Sequence, residues 1–232
     1  MMTAIRSYAR QGQHLLRRWL LEPRIHTTAH ILQYLLRGFL LSAASLGQYP
    51  QPLALCLVCA GDRWPAVLTA AGAAGGYLAF WGSAGLQGIA WLAAGLPAAL
   101  LIGSRPSART MPLLLPAIAG LITAAAGLVF QLRLGDTTPV AIYLLRMVLS
   151  VGVTRLFLVA GETHGQYARY LSWGVWVLAL AQVAPFPWLC FGYIAAAALG
   201  TGGAFAAAAL GGLALDLAQV TPVPMTAVIC VT

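Results

Sequence analysis

From residue 30 onward the sequence is one apolar run after another, interrupted by short clusters of Gly, Pro or charge. A run of that kind cannot sit on the surface of a water-soluble globule. It needs either a protein interior or lipid, and a transmembrane helix takes ~20 predominantly apolar residues. Soluble domains are about a quarter charged; here 8% of residues are charged and 60% are apolar. There is too little polar side chain to cover a soluble body of this size, so the runs are expected to lie in a bilayer. The predicted fold class is all-α, a polytopic helical membrane protein with about 8–10 transmembrane helices.

The predicted spans lie near 30–47, 52–61, 64–81, 85–103, 111–130, 138–160, 168–184, 187–199, 203–217 and from 222 onward. The second is too short to cross alone; it either extends through 48–51 or forms a re-entrant piece with its neighbour. After Pro222 and Pro224 only Met225 to Thr232 remain, about 12 Å of helix against a ~30 Å hydrocarbon core. The expectation is therefore a multipass domain over 30–232 that continues beyond Thr232. Residues 1–29 form a separate basic segment with Arg6, Arg10, Arg17, Arg18 and Arg24 against Glu22. At helical spacing Arg10, His14, Arg17 and Arg18 share one face and Leu16, Trp19 and Leu20 the other. The pattern suits a surface helix on anionic lipid, or equally a solvated basic tail that sets orientation.

Arg also gives the topology. With the N-terminus cytoplasmic, the inner segments 1–29, 62–63, 104–110, 161–169 and 200–202 hold nine Arg, whereas the outer connectors hold Arg133 alone. That asymmetry is the positive-inside pattern. It also accounts for the net charge of +8 without nucleic acid, whose binders gather charge on one wet face.

Residue types exclude much chemistry. All thirteen basic residues are Arg, which removes P-loop and Schiff-base lysines. There is no HExxH, GxSxG or GxGxxG, and no catalytic, cofactor or metal-binding residue is assigned. Cys56, Cys59, Cys190 and Cys230 lie in apolar stretches and read as small hydrophobes. His26 and His30 share a helical face but have no carboxylate or Cys nearby to complete a metal site.

Two features go beyond anchoring. Arg37, Arg146 and Arg155 fall inside predicted spans, where a charge costs about 2.5–3.5 kcal/mol on insertion scales and must snorkel, pair or line a cavity. Arg155 is near enough to an end to snorkel; Arg146 has Asp136 or Asp216 as candidate partners, so Arg146, Asp216 and Arg37 form the candidate intramembrane polar site. Small residues are the second feature: Gly72 and Gly76 form a GxxxG, and Gly202, Gly203, Gly211 and Gly212 flank the Ala-rich stretch 204–209. Such residues let helix backbones approach closely in lipid.

The order of these features resembles the amino-terminal membrane region of the stage II sporulation protein E family. The resemblance rests on the basic lead-in, Tyr34-Leu-Leu-Arg-Gly38-Phe39-Leu40, the proline-led Gln51-Pro52-Leu53-Ala54-Leu55 and Asp62-Arg63 before the next span. Later, Gly192-Tyr193-Ile194-Ala195 leads into Gly202-Gly203-Ala204 and Gly211-Gly212. Members often carry Gly-Arg late in the first span, where this chain has Leu41-Ser42. The resemblance implies a bacterial cell-membrane protein that self-associates, meets cell-division proteins and places a cytoplasmic serine/threonine phosphatase domain at the division septum. Manganese or magnesium would belong to that phosphatase domain, none of which lies within these residues, so these residues carry no cofactor. The rival expectation, motivated by Arg146, Asp216 and the proline-broken helices, is a small-molecule transporter or its substrate-binding membrane subunit.

Overall fold

The structure, a computed structural model, describes residues 23–46, 49–102, 112–134, 138–161 and 166–183, with short helical pieces at 208–209, 211–213 and 215–216. These residues are mostly helical. Helix α1 covers Pro23–Leu41, α2 Leu53–Ala60, α3 Arg63–Trp81, α4 Gly85–Ile102, α5 Leu114–Leu134, α6 Val140–Ala160 and α7 Gln166–Leu180. Among the described residues, three apolar helical stretches are long enough to cross a membrane: 63–102, 114–133 and 140–160. The first contains α3 and α4, joined by a 3-10 turn at Gly82–Ala84. Gly82 ends α3 with φ 52°, a left-handed conformation that glycine adopts without a Cβ clash. The predicted spans 187–199 and 222 onward, and residues 1–22, lie outside the described residues.

The helix at the first predicted span differs from its prediction. The helix starts seven residues before residue 30 and stops at Leu41, where Ala43 N donates to Leu40 O and Ala44 N to Leu41 O in a tightened last turn. A short antiparallel hairpin follows, β1 Ser45–Leu46 and β2 Tyr49–Pro50, with Ser45 opposite Pro50 and Leu46 opposite Tyr49. Gln51 N closes it by donating to Ala44 O at 2.9 Å. An all-helical reading missed this hairpin.

Helices α1 and α3 run parallel. Leu35 meets Gly72, Gly38 meets Thr69 and Ala73, Phe39 meets Gly76, and Ser42 meets Gly76; further along, the Phe39 and Phe80 rings meet tilted at 56° with centroids 4.9 Å apart, and Trp81 Nε1 donates to Ser42 O at 2.9 Å. Rising numbers pair with rising numbers, so the chain must travel back between them. Residues 51–62 do this. The eight-residue α2 supplies about 12 Å of rise and four non-helical residues up to ~13 Å more, enough to return from the level of Tyr77 to that of Arg63, ~21 Å along α3. The short run at 52–61 thus contains only the eight-residue α2, a helix too short to span a ~30 Å hydrocarbon core on its own. Non-helical backbone is tolerated at membrane depth only inside protein, and this segment is inside. Leu53, Ala54, Leu55, Cys56, Val58 and Cys59 are all buried, and α1, α3, α4, α5 and α6 pack around them. Pro52 precedes the first turn, where its missing N–H is no loss.

The approach of α1 and α3 depends on glycine on both sides. A methyl at Gly38 would sit on the carbonyl oxygen of Thr69, one at Gly72 on that of Leu35, and one at Gly76 on the Ser42 hydroxyl. Gly72 and Gly76 thus serve a crossing within the chain. Elsewhere large apolar side chains lie on the outside of the bundle, and several hydroxyls lie within its mainly apolar core. Trp64 is 76% exposed, Leu132 73% and Leu121 67%, whereas Thr69, Thr123, Ser150 and Thr154 are buried. The Thr123 and Ser150 hydroxyls lie 2.8 Å apart between the antiparallel α5 and α6.

Tyr77 pins the returning segment, its hydroxyl donating to Gln51 O at 2.9 Å in a buried setting. Tyr77→Phe leaves that carbonyl without its donor and is expected to cost about 1–3 kcal/mol, read as a lowered melting temperature in detergent micelles. An unchanged melting temperature would mean that the bond contributes nothing.

Candidate functional site

Arg146 lies about two turns into α6 and is 1% exposed. Its Nη1 donates to Gln87 Oε1 at 3.0 Å, and three aromatic rings surround the guanidinium. Its Cζ is 5.4 Å from the Trp91 ring centroid, 5.5 Å from that of Tyr143 and 6.0 Å from that of Tyr49. All three are within the ~6 Å range over which a ring quadrupole attracts a cation.

Each wall follows from local structure. Gln87 and Trp91 are four residues apart on α4 and therefore share a face; Tyr143 is one turn before Arg146 on α6 for the same reason. Tyr49 comes from β2, so the unexpected hairpin closes the site. Gln51, at its foot, donates Nε2 to Tyr49 O at 3.0 Å, and Tyr77 meets Trp91 edge-on at 6.0 Å and 74°, a favoured aromatic geometry. The result is a buried polar cluster where the hairpin meets the starts of α4 and α6. Among its buried atoms, Gln51 Oε1, Gln87 Nε2 and Trp91 Nε1 have no hydrogen-bond partner among the described residues.

The other sequence-derived candidates fall elsewhere. Arg37 is half-buried in α1 with its Cζ 5.7 Å from the Tyr34 ring. Asp216 is half-buried in the short helical piece 215–216, next to the fully buried Leu215, and makes interactions of its own. Gly211 and Gly212 are buried in the piece 211–213; Gly202, Gly203 and Asp136 lie outside the described residues. Cys56 and Cys59 are buried free thiols, with Cys56 Sγ 3.2 Å from Pro52 O. Among the described residues no group of three or more His, Cys, Asp or Glu could hold a metal. An open groove of about 230 Å³ between α1 and α3 is lined by apolar residues, among them Leu32, Leu36, Phe39 and Ala71.

Sequence reasoning found Arg146 but none of its walls. The available signal was Gln87 itself, an amide in the middle of an apolar run with an indole four residues on. Chemically, an Arg side chain stays protonated, so the cluster offers fixed positive charge and N–H donors, beside the phenols of Tyr49 and Tyr143. No protein-family model, no curated protein and no solved structure matches the chain.

Proposed function

We propose that the chain is the membrane-embedded anchor and self-association region of a sporulation-associated serine/threonine phosphatase, placing a cytoplasmic phosphatase domain at the division septum. The observation that carries this reading is the bundle's construction: large apolar side chains such as Trp64, Leu121 and Leu132 on the outer surface, helical stretches long and apolar enough to cross a membrane, and a short helix enclosed by its neighbours, as suits a rigid body held in lipid. The proposed topology is multipass in a bacterial cell membrane, with about 8–10 spans and the N-terminus cytoplasmic. Parallel α1 and α3 with a return between them accord with the Arg asymmetry, since both helices then begin on the Arg-rich side. Self-association and contact with cell-division proteins are part of the same proposal.

A fusion of residues 1–232 to a fluorescent protein, expressed in a sporulating endospore former, tests the reading. A band at the polar septum is expected; uniform fluorescence around the envelope would sink it. The buried Arg146 cluster favours a second reading, a membrane protein that binds or moves a small molecule.

A further inference from the structure

Two faces of α1 away from the core differ in chemistry. One, with Leu32, Leu36 and Phe39, lines the apolar groove beside α3 and suits acyl chains. The other is polar. Gln33 is exposed and Arg37 half-buried; four residues apart, they share a face. Helical periodicity sets that face roughly opposite Leu35, Gly38 and Ser42, through which α1 meets α3.

Depth makes this unusual. Helix α3 is 19 residues long, and its apolar stretch is long enough to cross a membrane. Leu35 packs on Gly72 and Gly38 on Thr69 and Ala73, so Arg37 is level with the middle of α3, about 14 Å from either end of that helix. An arginine side chain does not reach that far, and Cβ atoms tilt toward the helix N-terminus. The guanidinium follows that tilt, lying over the Tyr34 ring one turn earlier at 5.7 Å. A ring contact uses the face of the guanidinium and leaves its edge N–H donors for an acceptor. At such depth an arginine pairs or lines a cavity, and the acceptor that matches its planar fork and its charge is a carboxylate.

We infer that the Gln33–Arg37 face of α1 docks a transmembrane helix of a different protein, one with an aspartate or glutamate near its middle. A second copy meeting this face across a two-fold axis would set Arg37 against Arg37, and lipid phosphates lie at the membrane surfaces, beyond reach. The inference rests on the bundle lying in lipid and not on the phosphatase reading.

The test uses the purified chain in phosphatidylcholine vesicles with two synthetic polyleucine transmembrane peptides, one with Asp at its centre and one with Asn, and reads association by energy transfer. The Asp peptide is expected to bind about tenfold more tightly than the Asn peptide. Arg37→Gln should abolish that preference, and Arg37→Glu should instead prefer a peptide with Arg at its centre, a reversal that only a folded chain can show. Equal binding of the Asp and Asn peptides, or a preference that survives Arg37→Gln, would overturn the inference. So would loss of the preference when phosphatidylglycerol is added, which would assign Arg37 to lipid phosphate. A chain stripped from the vesicles by alkaline carbonate would overturn the membrane placement and the inference with it, whereas a chain retained without preference overturns the inference alone.

Discussion

Gly72→Ala and Gly38→Ala are expected to destabilise the chain by about 1–3 kcal/mol each, and Gly72→Leu to prevent native assembly. The added methyl meets backbone: the Leu35 carbonyl for Gly72 and the Thr69 carbonyl for Gly38. A flexible side chain would swing aside, but a carbonyl moves only if the helix moves. Separating α1 from α3 also disturbs the Trp81–Ser42 and Tyr77–Gln51 bonds, through which α3 holds the hairpin and the returning segment. Gly75 is the internal control. It is exposed on the same helix, and a methyl added there would meet nothing within 4 Å, so Gly75→Ala should be neutral or stabilising by up to about 1 kcal/mol through helix propensity. Size-exclusion profiles after graded heating in detergent read the series. Equal behaviour of Gly72→Ala and Gly75→Ala would show that the crossing is not close-packed.

That contrast marks what a single sequence displays. Gly72-x-x-x-Gly76 is visible as a small-residue pair, but its partner is not. Gly38 is one isolated glycine in a helix, and only the parallel arrangement of α1 and α3 sets it opposite Thr69. Helices were legible because each apolar run repeats one solvent preference over many residues, and the break at 82–84 because Gly-Ser interrupts it. The hairpin was not legible: two residues per strand are too few for alternation, and Pro50 removes a donor from one of them. For the same reason the site was half visible. A charge inside an apolar run is conspicuous, as Arg146 is, whereas an acceptor of its hydrogen bonds is a neutral Gln fifty-nine residues away, and one of the three rings around it comes from the hairpin.

Arg146→Lys is expected to be nearly as damaging as Arg146→Gln, although it keeps the charge. A guanidinium is broad and planar: it lies against Trp91, Tyr143 and Tyr49 while an edge N–H reaches Gln87. An ammonium is a compact, strongly hydrated point charge that cannot do both and is harder to strip of water. Losing the charge-assisted hydrogen bond is worth about 1.5–3 kcal/mol, and weakening desolvated ring contacts adds ~0.5–2 kcal/mol. Gln87→Leu approaches the same interaction from α4, taking away the acceptor and leaving the cation in place, so its loss should match that of Arg146→Lys within the range for one such bond. Because the two changes remove the same contact, Arg146→Lys combined with Gln87→Leu should be far less harmful than the sum of the separate losses, as interacting pairs are. A cycle of these variants, measured by thermal unfolding in one detergent, gives that coupling directly. Strict additivity would mean that the 3.0 Å bond contributes little and that Arg146 is held by the aromatic rings and its other partners.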